Sequence, residues 1–203
     1  MEQRSAEWYE ERRGKLTASP FIMILRGKKG AYLKSRETHM RQLLAERLTG
    51  EVAEGYESRA MMDGIEFEPM ARMAYEARYG VPVMEVGFIN HPAIKGLGAS
   101  PDGLVGDDGG LEIKCPKSQT HLSVILDNEI DEAHMVQIQV ALSCSGRGWW
   151  DYVNYDHRAP DNLSLYIRRV ERDEAMIELI ETEAMAFLAE LDAREAELRE
   201  RIL

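Results

Sequence analysis

The sequence predicts an α/β fold in which a central mixed β-sheet is flanked by helices. Three observations carry this. Up to residue 79 the apolar residues recur at helical spacing, and from 81 to 116 they fall into short extended runs punctuated by Gly, Pro and Asp. After a further helical stretch come two strand-like runs and a long amphipathic helix. Helices before and after a sheet make one layered α/β unit. With no internal repeat, low-complexity run or Pro/Ser-rich linker, residues 1–203 read as a single domain.

Taken in order, residues 5–13 predict a short helix, and Ser19-Pro20 predicts the start of another, with Ser as N-cap and Pro in the first helical position. RGKKGAYLKS follows as a basic loop. Residues 36–49 predict a helix closed by Thr49-Gly50. Residues 58–79 predict a third helix, kinked or restarted near Pro69 and stopped by Gly80. VPVMEVGFIN, GLGASPDGLVG and GLEIKCP each predict a strand, with Asp107-Asp108-Gly109-Gly110 as the turn between the last two. A helix over about 131–145, the strands WWDYVNY and LSLYIRRV, and a helix over about 173–200 complete the chain.

The composition excludes several classes. No stretch approaches 18 consecutive apolar residues, so no spanning helix is expected. The opening MEQRSAEWYEERRGK lacks an apolar core of a secretory signal, which leads to a cytoplasmic expectation and no membrane partner. Two cysteines, Cys115 and Cys144, cannot alone build a zinc or iron–sulfur cluster and are expected as reduced thiols. The net charge of −11 at first opposes a polyanionic partner. Its distribution removes the objection: residues 1–50 carry 11 Lys/Arg against 6 Asp/Glu, and residues 171–203 carry 4 against 11. The acidic excess reads as the solvated face of the last helix.

The chemistry concentrates in Ser100-Pro101-Asp102-Gly103 and, ten residues beyond Asp102, Glu112-Ile113-Lys114. Alternate side chains of a strand share a face, so Glu112 and Lys114 emerge together while Ile113 faces the core. The hairpin returns Asp102 towards Glu112. Two carboxylates and the Ile113 backbone carbonyl form a hard oxygen set suited to Mg²⁺. Lys114 beside such an ion can orient or deprotonate an attacking water, or neutralise charge developing on phosphate. These are the parts that phosphodiester hydrolysis requires.

Glu68 shares a helical stripe with Met61, Ile65, Ala71, Ala74 and Tyr75. A carboxylate there needs a cation to meet, either at this site or in a boundary salt bridge or cap. Gln137 shares a stripe with Ala133, Ala141 and Cys144, where it either bonds Lys114, a metal-bound water or a phosphate, or stands as a satisfied core amide. Arg12, Thr17 and Ser19 surround the expected helix start at Ser19-Pro20, whose free N–H groups would suit an anion such as a terminal phosphate. The five histidines show no metal-ligand spacing, and no G-x-S-x-G or Walker loop occurs.

S-P-D-G-L…G-L-E-I-K-C-P resembles the PD-(D/E)XK nucleases, specifically the phage lambda exonuclease type of viral recombinase. WYEERRGKLTAS at 8–19, GIEFEPMAR at 64–72, MVQIQ at 135–139 and WDYVNYD at 150–156 extend the likeness, in order, over nearly the whole chain. The resemblance implies a restriction-endonuclease-like core. It implies a processive 5′→3′ exonuclease on double-stranded DNA ends, releasing 5′-mononucleotides and leaving 3′ overhangs for annealing recombination. It further implies Mg²⁺ as cofactor, as two ions and with Mn²⁺ as a substitute, and a ring-shaped homotrimer. The implied partner is a single-strand DNA annealing protein, in a bacterial cytoplasm and encoded by a phage or prophage. By matching position it makes Asp102, Glu112, Lys114, Glu68 and Gln137 the catalytic set, with the metal on Asp102, Glu112 and the Ile113 carbonyl. Arg12 and Ser19, with Ser100 and Thr17, would line the 5′-phosphate pocket, and Trp8 would meet the duplex end. Two local departures, Pro69 after Glu68 and Arg13 after Arg12, leave open which arginine reaches the phosphate. A restriction-type or structure-specific endonuclease using the same site is the alternative.

Overall fold

The chain's computed structural model describes residues 2–27, 29–52 and 59–201, the side chains of 59–61 and 63 excepted. Five strands form the main sheet in the order β2 (Val83–Met84), β5 (Gly103–Val105), β6 (Gly109–Lys114), β7 (Trp149–Tyr155) and β8 (Leu165–Glu171). Only β6 and β7 run parallel, so the sheet is mixed. A parallel pair needs a crossover, and here it consists of two helices, α4 (Ser118–Asp127) and α5 (Glu132–Ser145). A second, small sheet pairs β1 (Leu16–Thr17), β4 (Leu97–Ala99) and β3 (Ile89–Asn90). The remaining helices are α1 (Ala6–Arg12), α2 (Lys34–Thr49), α3 (Arg59–Tyr79) and α6 (Glu174–Arg201).

Two runs expected as single strands are each divided between the sheets. VPVMEVGFIN supplies β2 and β3, and GLGASPDGLVG supplies β4 and β5. The second break falls at Ser100-Pro101-Asp102, where Pro101 has no N–H to offer a ladder. The hairpin turn also lies earlier than expected. It occupies residues 106–108, with Gly106 at φ +52°, while Gly109 and Gly110 belong to β6. Their glycine identity has a packing cause: a Cβ on Gly110 would lie 2.4 Å from the Trp150 ring carbons.

Ser19-Pro20 does not open an α-helix. Residues Phe21–Ile24 form one turn of 3₁₀ helix capped by Pro20, with no side-chain cap. A single 3₁₀ turn thus stands where the start of an α-helix was expected. The helix α3 passes through Pro69 without ending, which places Glu68 mid-helix rather than at a start. Proline removes the donor that the Ile65 carbonyl would otherwise meet. Of the expected stripe, Ala71 and Tyr75 are buried, and the Met61 side chain lies outside the described residues. The helix α4 had no sequence expectation at all.

Alternation along the strands separates the core into two clusters, one on each face. Leu111, Ile113, Val153 and Tyr155 pack on Ala71 and Tyr75 of α3. Trp150 and Tyr152 face α5 and, through it, Phe187 of α6. Each fully buried side chain of this size contributes roughly 1.5–3 kcal/mol. Among the described residues, no helix is long and apolar enough to cross a membrane.

Candidate active site

The β5–β6 register pairs Gly103 with Leu111, and its continuation sets Asp102 opposite Glu112. Opposite residues of an antiparallel pair share a face, so the two carboxylates meet at the end of the hairpin. The Asp102 carboxylate is anchored there by the backbone N–H of Ile113, which donates to Oδ2 at 2.7 Å. The N–H and C=O of one strand residue leave on the same side. The Ile113 carbonyl is thereby directed to the Asp102 edge, beyond the first residue of β5.

Glu112 is 2% exposed. One of its oxygens, Oε1, takes both the Lys114 ammonium at 2.6 Å and the Gln137 side-chain N–H at 2.7 Å. The Gln137 carbonyl faces Lys114 at 3.4 Å, which closes the triangle. Of the alternatives for Gln137, the contact with Lys114 is the one the structure shows. The other glutamine of the segment, Gln139, turns away, donating to the Glu171 carbonyl and accepting from the Asp173 N–H at the base of α6. Burial alone would lower the Lys114 ammonium's pKa, but Glu112 and Asp102 more than offset it, and the group stays a cation. Burial, then Glu112 and Glu68, raise the Asp102 carboxyl well above the usual range.

Glu68 lies near enough to act on Asp102 and is also ion-paired. Arg4 holds Oε2 at 3.0 Å, and Arg72, one turn on, holds Oε1 at 2.8 Å. Arg4, Glu68, Asp102 and Glu112 line a cavity of about 600 Å³ with Lys114, Gln137 and Tyr152. A metal ion fits its donors only in part. Among the described residues no three His, Cys, Asp or Glu side chains form a ready-made cluster. Mg²⁺ takes one or two carboxylates and keeps waters elsewhere, so Asp102, Glu112 and the Ile113 carbonyl suffice for one ion. The mutual repulsion that raises Asp102 is also what a cation would relieve.

Beside this cavity is a second, of about 260 Å³, lined by Arg12, Thr17 and Ser19. Trp8, Tyr9 and Ser19 line both. Ser100 Oγ accepts from Trp8 Nε1 at 3.0 Å and from Arg12 Nη1 at 2.8 Å, which leaves its own proton for a third partner. The Arg12 guanidinium lies 4.1 Å above the Trp8 ring, and burial lowers its pKa to about 10, still cationic at neutral pH. Among the described residues Arg12 makes no ion pair, whereas Arg13 is engaged by Glu10 and the Gly50 carbonyl. Thr17 is buried on β1 and Ser19 is exposed.

Several site residues went unread in the sequence. Tyr152 and Asn154 pair in register with Glu112 and Lys114 on the neighbouring strand. Asn154 contacts Tyr152 Oη at 3.0 Å and His121 Nδ1 at 2.5 Å, and His121 Nε2 donates to the Leu163 carbonyl at 2.7 Å. This buried polar row ties α4 to the floor of the cavity. His134, one turn before Gln137, also lines it. Burial and the Lys114 charge lower its pKa to about 4, so it is neutral. Arg4 was missed as well. The strand period of WWDYVNY marks the face of Tyr152 and Asn154, but no sequence signal announces Arg4.

Comparison with known proteins gives a consistent assignment. Residues 7–148 match a family described as the YqaJ-like viral recombinase domain. An alkaline exonuclease (LHK-Exo) from Laribacter hongkongensis is 43% identical, with a TM-score of 0.91 and 98% of each chain covered. The same enzyme in complex with dAMP matches equally. A phage-related exonuclease from Haemophilus somnus 129PT is 14% identical over 91% of this chain and 96% of its own. With a TM-score of 0.75, it shares the fold. No curated protein sequence matches the chain.

Proposed function

The chain belongs to the YqaJ-like viral recombinase family, and from that premise we propose that it is a metal-dependent exonuclease that degrades double-stranded DNA 5′→3′ from its ends. The observation that carries this reading is the sharing of Trp8, Tyr9 and Ser19 by two cavities. One holds the carboxylate–lysine set and the other an arginine, Arg12, that makes no ion pair among the described residues, although Glu46 lines the same cavity. An enzyme that works from DNA ends has use for such a second site, where a terminal phosphate can be held.

Asp102, Glu112 and the Ile113 carbonyl would hold Mg²⁺, with Mn²⁺ as a substitute. When bound, the ion supplies Lewis acidity and an acidified water. The Lys114 ammonium then neutralises charge developing on the scissile phosphate. Gln137 fixes the rotamer of Glu112 and the place of Lys114 together. Arg12 and the free Ser100 proton take a terminal 5′-phosphate, and Trp8 backs the arginine and meets the duplex end. A second ion would need Glu68, which Arg4 and Arg72 now occupy.

The product is a 5′-mononucleotide and a growing 3′ overhang, the substrate that a single-strand annealing protein takes up. That partner, the homotrimeric ring and the bacterial cytoplasmic setting rest on family likeness alone. The reading is tested by incubating linear and covalently closed circular duplex with the protein in Mg²⁺ and in chelator. Digestion of the linear form in Mg²⁺ alone supports it; nicking or linearisation of the circle establishes an endonuclease instead.

A further inference from the structure

The segment before α1 is pinned beside the catalytic carboxylates by contacts that nothing in the proposed chemistry uses. The Gln3 side chain donates to the Val86 carbonyl at 3.0 Å and to the Pro101 carbonyl at 2.6 Å, immediately before Asp102. Arg4 follows with φ +66°, a left-handed conformation uncommon for a residue with a side chain, before Ser5 caps α1. The result is a guanidinium at the rim of the cavity, 3.0 Å from Glu68 and 40% exposed.

We propose that Arg4 is a DNA-backbone contact that leaves Glu68 for a phosphate of the bound strand when the duplex end enters. The inference rests on the nuclease reading above and adds a substrate-binding residue to it. Three features support the exchange. An exposed ion pair is weak, so breaking it costs little, whereas an arginine and a phosphate form a charge-assisted, bidentate pair. Glu68 is not stranded, because Arg72, 11% exposed and braced by Glu85 at 2.8 Å, keeps its other oxygen. Finally, Arg4, Glu68 and Asp102 line both the 600 Å³ cavity and a neighbouring one of about 400 Å³. The Arg4–Glu68 pair thus lies where the two cavities adjoin, so its opening would widen the path past Asp102.

The test measures binding of a short linear duplex in Mg²⁺ at several salt concentrations, in a Lys114→Ala background that arrests turnover. Adding Arg4→Ala should weaken binding about tenfold and make the slope of log affinity against log salt shallower by about 0.9, the loss of one phosphate contact. Arg4→Lys should retain the slope. Gln3→Ala, which frees the segment without removing charge, should weaken binding and retain the slope. An unchanged slope and affinity in Arg4→Ala would overturn the proposal while leaving the nuclease reading intact. Absence of duplex binding by the Lys114→Ala protein itself would overturn both.

Discussion

Gln137 donates to Glu112 Oε1 at 2.7 Å, the same oxygen that receives the Lys114 ammonium. The amide thus acts on the carboxylate and the lysine at once, although α5 and β6 are 25 residues apart at this contact. Gln137→Ala should lower the nuclease rate about 10–100-fold, as loss of an orienting partner does, with little change in Tm. Gln139→Ala should do the reverse. Its side chain is 1% exposed and staples the start of α6, so its loss should cost about 1–3 kcal/mol and leave the rate per folded molecule unchanged. Thermal melts and initial rates on the two variants, measured side by side, separate the roles.

Lys114→Ala and Glu112→Gln should each reduce digestion of linear duplex by about 10²-fold or more, with far-UV circular dichroism unaltered. Retention of activity by either would remove the site from the chemistry.

Arg12 stacks on Trp8 and shares Ser100 with it. Arg12→Ala should raise KM for 5′-phosphorylated ends about tenfold and remove most of the preference over 5′-hydroxyl ends. The chemistry at saturating DNA should change much less. Arg13→Ala, whose partners are Glu10 and the Gly50 carbonyl, should leave that preference in place. Kinetics on the two kinds of end decide between them.

The raised Asp102 carboxyl gives the metal-free protein a pH dependence. A carboxyl whose folded pKa exceeds its unfolded one stabilises the fold at low pH and loses that contribution as pH rises through the folded value. In chelator, Asp102→Asn should therefore melt above the wild type at pH 8, and the gap should close towards pH 4. A gap of about 1 kcal/mol corresponds to about 2–4 °C for a chain of this size. Mg²⁺ should raise the wild-type Tm at pH 8 and not that of the variant. Equal melting curves at both pH values would contradict the crowding of carboxylates described here.

The site's core was legible because its logic is local. Asp102, Glu112 and Lys114 lie on one hairpin, where strand period and antiparallel register settle which side chains share a face. Gln137 needed only the helical stripe. What the sequence hid depends on tertiary contact. Pro101 breaks an apparently continuous strand, so β4 and β5 enter different sheets. The helix α4 buries His121 against Asn154 and Leu163, partners 33 and 42 residues away. Pro69 looked like a boundary, yet the packing of Ala71 and Tyr75 on β6 and β7 carries α3 through it. Ser19-Pro20 has the composition of a helix start, but the segment supplies only one 3₁₀ turn.

The most direct test of the account is digestion of a linear duplex in Mg²⁺, labelled on the 5′ end in one sample and on the 3′ end in another. The 5′ label should appear at once as a mononucleotide while the 3′ label stays on a long single strand. Early release of the 3′ label, or internal fragments carrying either label, would contradict it.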